Sequence, residues 1–258
     1  MLWLLAAAVA VLAAHVYLGW VRHAQRRPTL RDSWLALLLA ALTLGTGICA
    51  VVVLAISAEP LTFVPGYRLI ALAPLWLGAM VGALLPAFWL MKRHSLLAIV
   101  ACGLLLAMLC IAVQVGWLVA AGFRPGIRWR PGLAGAAAVV LAFGFVAALW
   151  VAFGRSRDSA RGRGLWRIGA SVLLGLALIG GQELLLIGAG LLAQVGSVFK
   201  DEVPAPVLAL AGGVLAPLVM AVMALDLELR GSLGKPGSKS GIADASKRKR
   251  RRHRIRTL

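Results

Sequence analysis

Seven runs of some twenty apolar residues constrain this chain more than any motif does. They cover residues 2–20, 34–57, 69–91, 95–121, 133–153, 168–195 and 207–227. A helix needs roughly 20 apolar residues to cross a hydrocarbon core of about 30 Å, and each run meets that length. Lipid offers no hydrogen-bond partner to an open backbone, so each run is predicted to be a helix. The fold class expected is all-α: a polytopic membrane bundle of seven transmembrane helices.

Composition agrees. Hydrophobic residues make up 61% of the 258 and charged ones 14%, against roughly half and a quarter in soluble domains. Cys49, Cys102 and Cys110 all lie inside apolar runs, which argues against a disulfide framework. Heavy use of Ala, Leu, Gly and Arg points to a GC-rich bacterial genome, and so to a bacterial inner membrane.

The net charge of +18 gains meaning once it is mapped onto the connections. One side holds Arg68, Arg124, Arg128, Arg130 and Lys200. All the other Lys and Arg residues fall on the opposite side: four after the first run, Lys92 and Arg93 after the third, five after the fifth, and the rest in the tail. Basic connections stay in the cytoplasm. The predicted topology is therefore N-terminus outside and C-terminus cytoplasmic. Trp20, Trp34, Trp89, Trp150 and Trp166 fall at predicted cytoplasmic helix ends, where an indole anchors well. Residues 1–14 lack a basic stretch ahead of the apolar run, so they read as a retained first helix and not a signal peptide.

The even-numbered runs align with one another. Gly45–Ile56, Ala107–Leu118 and Gly175–Leu186 place Val52, Gln114 and Gln182 at equivalent positions, 62 and 68 residues apart. That spacing equals two spans with their connections, so a helix pair repeats three times after a leading helix. The layout resembles the MHYT domain of bacterial membrane sensors, in which helices two, four and six each carry a Gly-x-Gly-Ile-x-x-Met-His-Tyr-Thr-Gly-Met-like motif. The matching context is Gly45-x-Gly47-Ile48, the stretch from Gly175 to Gly180, and the Arg124-to-Gly132 connection. The likeness covers residues 1–228 as layout. It implies a sensing role and a bound copper, but Met-His-Tyr-Thr is replaced here by Val51 to Leu54, Val113 to Gly116 and Gly181 to Leu184. Copper favours imidazole and thioether, and a neutral amide substitutes poorly for either. The metal function is not carried over.

Glu183 is the sharpest single residue, because a carboxylate within a span is costly and usually functional. It is a candidate proton site, cation ligand or hydrogen-bond donor to Gln114; the plainer role is a structural bond between helices. Gln114 and Gln182 either link packed helices or, with Val52 and Glu183, line a polar pocket in the outer half of the bundle. Cys49, Met108 and Cys110 are weak candidates for a soft-metal site, since such residues also simply pack well. His15, the one histidine inside a span, is a packing or hydrogen-bonding residue before it is a ligand. Arg124, Arg128 and Arg130 either bind an anion or headgroup phosphate or, the plainer role, pair with Asp201 and Glu202.

No metalloprotease, P-loop, nucleophile-elbow or dinucleotide signature occurs, so no enzyme is predicted. The membrane domain is expected to span residues 1–229, with a disordered basic tail over 230–258. In the tail, Lys247, Arg248, Lys249, Arg250, Arg251, Arg252, Arg254 and Arg256 form a cationic block suited to anionic lipid headgroups. A cytoplasmic signalling protein is the next partner in line. Nucleic acid ranks last, because no aromatic platform interleaves the charges. The function expected is a non-enzymatic sensor or signalling scaffold; the alternative is a small transporter or proton-coupled permease using Glu183 at the midplane.

Overall fold

A computed structural model describes residues 2–26, 29–61, 63–92, 95–124, 126–154, 160–190, 196–198 and 203–233. Among them, α1 (Leu2–Gln25), α2 (Leu30–Ala58), α3 (Leu69–Lys92), α4 (Leu96–Ala120), α5 (Pro131–Phe153) and α6 (Ala160–Ala189) follow in order. The chain ends in α7 (Ala205–Leu210), a π-helical turn (Ala211–Leu215) and α8 (Ala216–Leu233), which run on as one span. Seven helices are thus long and apolar enough to cross a membrane, and the protein is an integral, multi-pass one by that measure.

The helix starts follow from local chemistry. Thr29 caps α2 by accepting from the Asp32 amide at 3.3 Å, and Ser95 caps α4 by accepting from Ala98 at 3.2 Å. Pro131 opens α5, where its missing N–H is no loss. Gly190, in the left-handed region at φ +62°, follows the last residue of α6.

Three bounds differ notably from the sequence-based expectation. Helix α6 starts at Ala160 instead of residue 168, because its basic first turns are helical although not apolar. It stops at Ala189 instead of residue 195, where Gly190 turns the chain. The last helix also runs to Leu233, past the expected boundary at 229. Residues Met1–Met223 form one compact unit. The second, Ala224–Leu258, is described only to 233, and there Arg230 pairs with Asp226 one turn earlier at 2.8 Å. The cationic block at 247–256 lies outside the described residues.

Helices α1 to α6 pack in order around a closed ring, with α6 returning against α1. The even helices α2, α4 and α6 also touch one another in pairs. Helix α2 is buried on every side from Gly47 to Ile56, covered by its ring neighbours and the last span. The last span packs mainly against α2. Small residues permit the close approaches: a Cβ on Gly45 would meet the Met80 backbone nitrogen at 2.8 Å, and one on Gly103 the Val146 backbone at 2.9 Å.

The two ends of the ring are built differently. At one end, here termed the latched end, the α2–α3, α4–α5 and α6–α7 connections are sewn together. Strand β1 (Gly66–Tyr67) pairs antiparallel with β4 (Val203–Pro204), and β2 (Phe123–Arg124) with β3 (Gly196–Ser197). Ser197 Oγ lies 2.6 Å from the Ala121 carbonyl oxygen, 3.3 Å from that of Gly66, and accepts from the Gly66 amide at 3.4 Å. At the other, basic end, α1 ties down its neighbours. Gln25 donates to the Leu90 carbonyl of α3 at 3.0 Å, and Arg22 donates to the Ala152 carbonyl of α5. These are last-turn carbonyls without helical partners, and a cation beside them suits the helix dipole. Trp34, Trp89, Trp150 and Trp166 are exposed there as expected of anchors. Trp20 is not: it is buried in the bundle, edge-on to His23, because α1 sits between α2 and α6.

Candidate polar site at the latched end

The three residues aligned by the repeat share one depth. Val52, Gln114 and Gln182 each lie six or seven residues before the last residue of their helix, about 10 Å below the latched end at 1.5 Å per residue. All three are fully buried, on three helices that touch one another in pairs. The structure therefore brings these positions to one interior level.

Neither amide is satisfied. Both Nε2 and Oε1 of Gln114 lack a partner, and so do both atoms of Gln182. A buried polar group left unpaired costs about 1–3 kcal/mol. The expected bond from Glu183 to Gln114 is not formed, since Glu183 Oε2 is also buried without a partner. Glu183 is half-buried, and the Glu59 carboxyl at the end of α2 acts on it electrostatically. Glu183 also stands well away from the midplane, six residues before the end of α6. That position weakens the permease reading, as does α3 running unbroken through Pro74 and Pro86, whereas the last span does carry a π-helical turn just before Pro217.

An aromatic layer sits on the same face of α4. Trp117 follows Gln114 by one turn and meets Tyr67 of β1 edge-on, with ring centroids 5.3 Å apart. Phe63 and Phe123 pack similarly at 6.1 Å. Sequence reading missed this layer, since nothing in Phe63, Tyr67 or Trp117 signals that two connections fold inward together. Burial raises the Tyr67 hydroxyl well above its ordinary pKa.

The proposed soft-metal set does not assemble. Cys49 and Cys110 are both buried. Met108 is 68% exposed, because it lies on the opposite face of α4 from Cys110. Among the described residues no group of three or more His, Cys, Asp or Glu side chains could hold a metal ion. The copper implied by the MHYT likeness finds no fitting donor set in Val52, Gln114 and Gln182: two neutral amides and an alkyl chain.

His15 has a different environment. Arg167 Nη2 lies 2.8 Å from His15 Nε2, and Ser171 Oγ lies 3.3 Å from Nδ1. Ser171 donates to the Arg167 carbonyl at 2.7 Å. Arg always donates, so Nε2 accepts, Nδ1 carries the proton, and the ring is neutral. His15 is thus a hydrogen-bonding residue between α1 and α6. Arg167, counted above as a connection cation, is its partner inside the helix.

The partners expected for Arg128 and Arg130, Asp201 and Glu202, lie outside the described residues. The Arg130 amide instead donates to the Gly188 carbonyl at 2.8 Å, fastening the start of α5 to the end of α6. No family model, no curated protein and no solved structure matches the chain.

Proposed function

We propose that this integral membrane protein is a non-enzymatic sensor of MHYT-like layout, in which Gln114 and Gln182 receive a small neutral hydrogen-bonding ligand. The observation that carries this reading is the pair of fully buried amides, unpartnered at every atom, on two helices that touch one another. A ligand that both donates and accepts would satisfy them and recover the free energy they cost empty. Glu183, with one buried and unpartnered oxygen, adds a third polar group at the same level. Ligand binding there would draw α4 and α6 together around α2. The displacement would reach the basic end through α1, whose Arg22 and Gln25 hold the ends of α5 and α3.

In this reading the membrane is a bacterial inner membrane, with the latched end outside and the basic end in the cytoplasm. The tail block at 247–256 would rest on anionic lipid, and a separate cytoplasmic protein would take the output. The test compares thermal unfolding of the purified protein with Gln114→Leu and Gln182→Leu, and measures metal content and visible absorption alongside. Each leucine should raise the melting temperature, since it removes an unpaired amide at similar volume, and wild type should carry no stoichiometric metal. A clear drop in melting temperature for both variants would show that the amides are structural and would end this reading.

A further inference from the structure

A cleft of about 500 Å³ opens between α2, α3 and the last span, separate from the buried amides. One wall is a stripe of α2, comprising Leu42, Thr46, Cys49, Ala50 and Val53. The facing wall comes from the last span, where the π-helical turn contributes Ala211, Gly212 and Leu215. A Cβ on Gly212 would meet Ala50 at 3.3 Å, so the glycine lets the two walls close at that point. The lining is almost wholly apolar. Its hydroxyl on Thr46 and the indole N–H of Trp76 satisfy one another at 3.1 Å.

Depth identifies the occupant. From Leu42 to Val53 the α2 wall rises about 16 Å at 1.5 Å per residue, close to the ~15 Å of one leaflet of a bilayer core. The cleft begins near the middle of α2 and reaches Leu69 and Leu208, at the latched ends of α3 and α7. Arg68, exposed at that level, immediately precedes Leu69. An apolar slot one leaflet deep, with an exposed cation next in sequence to Leu69 of its wall, matches one acyl chain beneath one phosphate. We propose that this cleft binds a single phospholipid of the leaflet at the latched end, its chain between α2 and the last span and its phosphate at Arg68.

Cys49 supplies a built-in reporter, because of the three buried cysteines it is the one that lines the cleft. The full chain would be placed in nanodiscs of equal parts phosphatidylglycerol and phosphatidylethanolamine. A trace of phosphatidylglycerol with a photoreactive group at its chain end would then be crosslinked and mapped. Crosslinks should concentrate on the cleft segments of α2, α3 and the last span, about tenfold over the exposed α5 face around Phe143. Ala73 is exposed and lines the cleft, so Ala73→Phe should fill it without disturbing the bundle and abolish the enrichment. Ala73→Leu, with a smaller side chain, is the second variant should Ala73→Phe lower the melting temperature. Arg68→Gln should weaken the enrichment while leaving labelling at Phe143 unchanged. Cys49 should react with N-ethylmaleimide more slowly in these nanodiscs than in lipid-stripped detergent. Even labelling around the circumference, or protein–protein crosslinks that seat a second copy in the cleft, would overturn the proposal. Neither result bears on Gln114 and Gln182.

Discussion

Arg167 on α6 donates to Nε2 of His15 on α1 at 2.8 Å, and this bond locks the imidazole into the Nδ1–H form. The pair closes the ring at the one place where its last helix returns to its first. Hydrogen bonds to charged groups contribute about 1.5–3 kcal/mol, so His15→Leu should destabilise the protein by that amount. His15→Gln, which still offers an acceptor, should recover part of the loss. Thermal unfolding in mild detergent checks both, and an unchanged midpoint for His15→Leu would refute the assignment.

Ser197 adds side-chain bonds to the strand pairs that hold the latched end. Its hydroxyl has one proton, and the 2.6 Å distance directs that proton to the Ala121 carbonyl, while the oxygen accepts from Gly66. Ser197→Ala should lose both bonds and about 1–2 kcal/mol. Hydrogen exchange should accelerate first at the amides of Val198 and Ala205, which bond to Gly122 and Pro65 across the latch. Uniform acceleration through the bundle would instead mean that Ser197 supports the whole fold.

The spans were legible because lipid forces them: an apolar run of sufficient length has no other structure open to it. The common depth of Val52, Gln114 and Gln182 was legible too, since a repeat of helix pairs preserves register. Side-chain partnerships were not. Arg167 reads as a loop cation until α6 is seen to begin at Ala160, and only then does His15 acquire a partner. Met108 reads as a neighbour of Cys110, but two residues along a helix turn the side chain by about 200°. The latch was invisible because its strands are two residues long and pair across more than 70 positions of sequence.

Glu59, just beyond α2, carries a testable pH signature. Burial raises its carboxyl pKa above the ordinary 4.5. The folded state therefore holds this proton more tightly than the unfolded chain does. Its contribution is fully favourable below the ordinary carboxylate range and is lost as pH rises through the folded value. Glu59→Gln should then raise the melting temperature at neutral pH and leave it unchanged at acidic pH. Unfolding curves of both proteins at the two pH values decide it; a variant that is less stable at neutral pH would show that the charged carboxylate has a stabilising partner.

Gly175 and Gly78 make the last contrast, between a glycine the packing requires and one it does not. A Cβ on Gly175 would lie 2.8 Å from the Cα and backbone nitrogen of Val11, whereas one on Gly78 would meet nothing within 4 Å. Backbone cannot yield as a flexible side chain can, so Gly175→Ala must push α6 away from α1. That shift would also strain the His15–Arg167 bond, which lies between the same helices. A cost of about 1–3 kcal/mol is expected, as for other overpacked interiors. Gly78→Ala, on an open face of α3, should gain up to about 1 kcal/mol from helix propensity. If the helices were free to slide, both alanines would stabilise, and the two unfolding midpoints would move in the same direction. Midpoints moving in opposite directions would show that Gly175 is held by contact between α1 and α6, whatever the site near Gln182 binds.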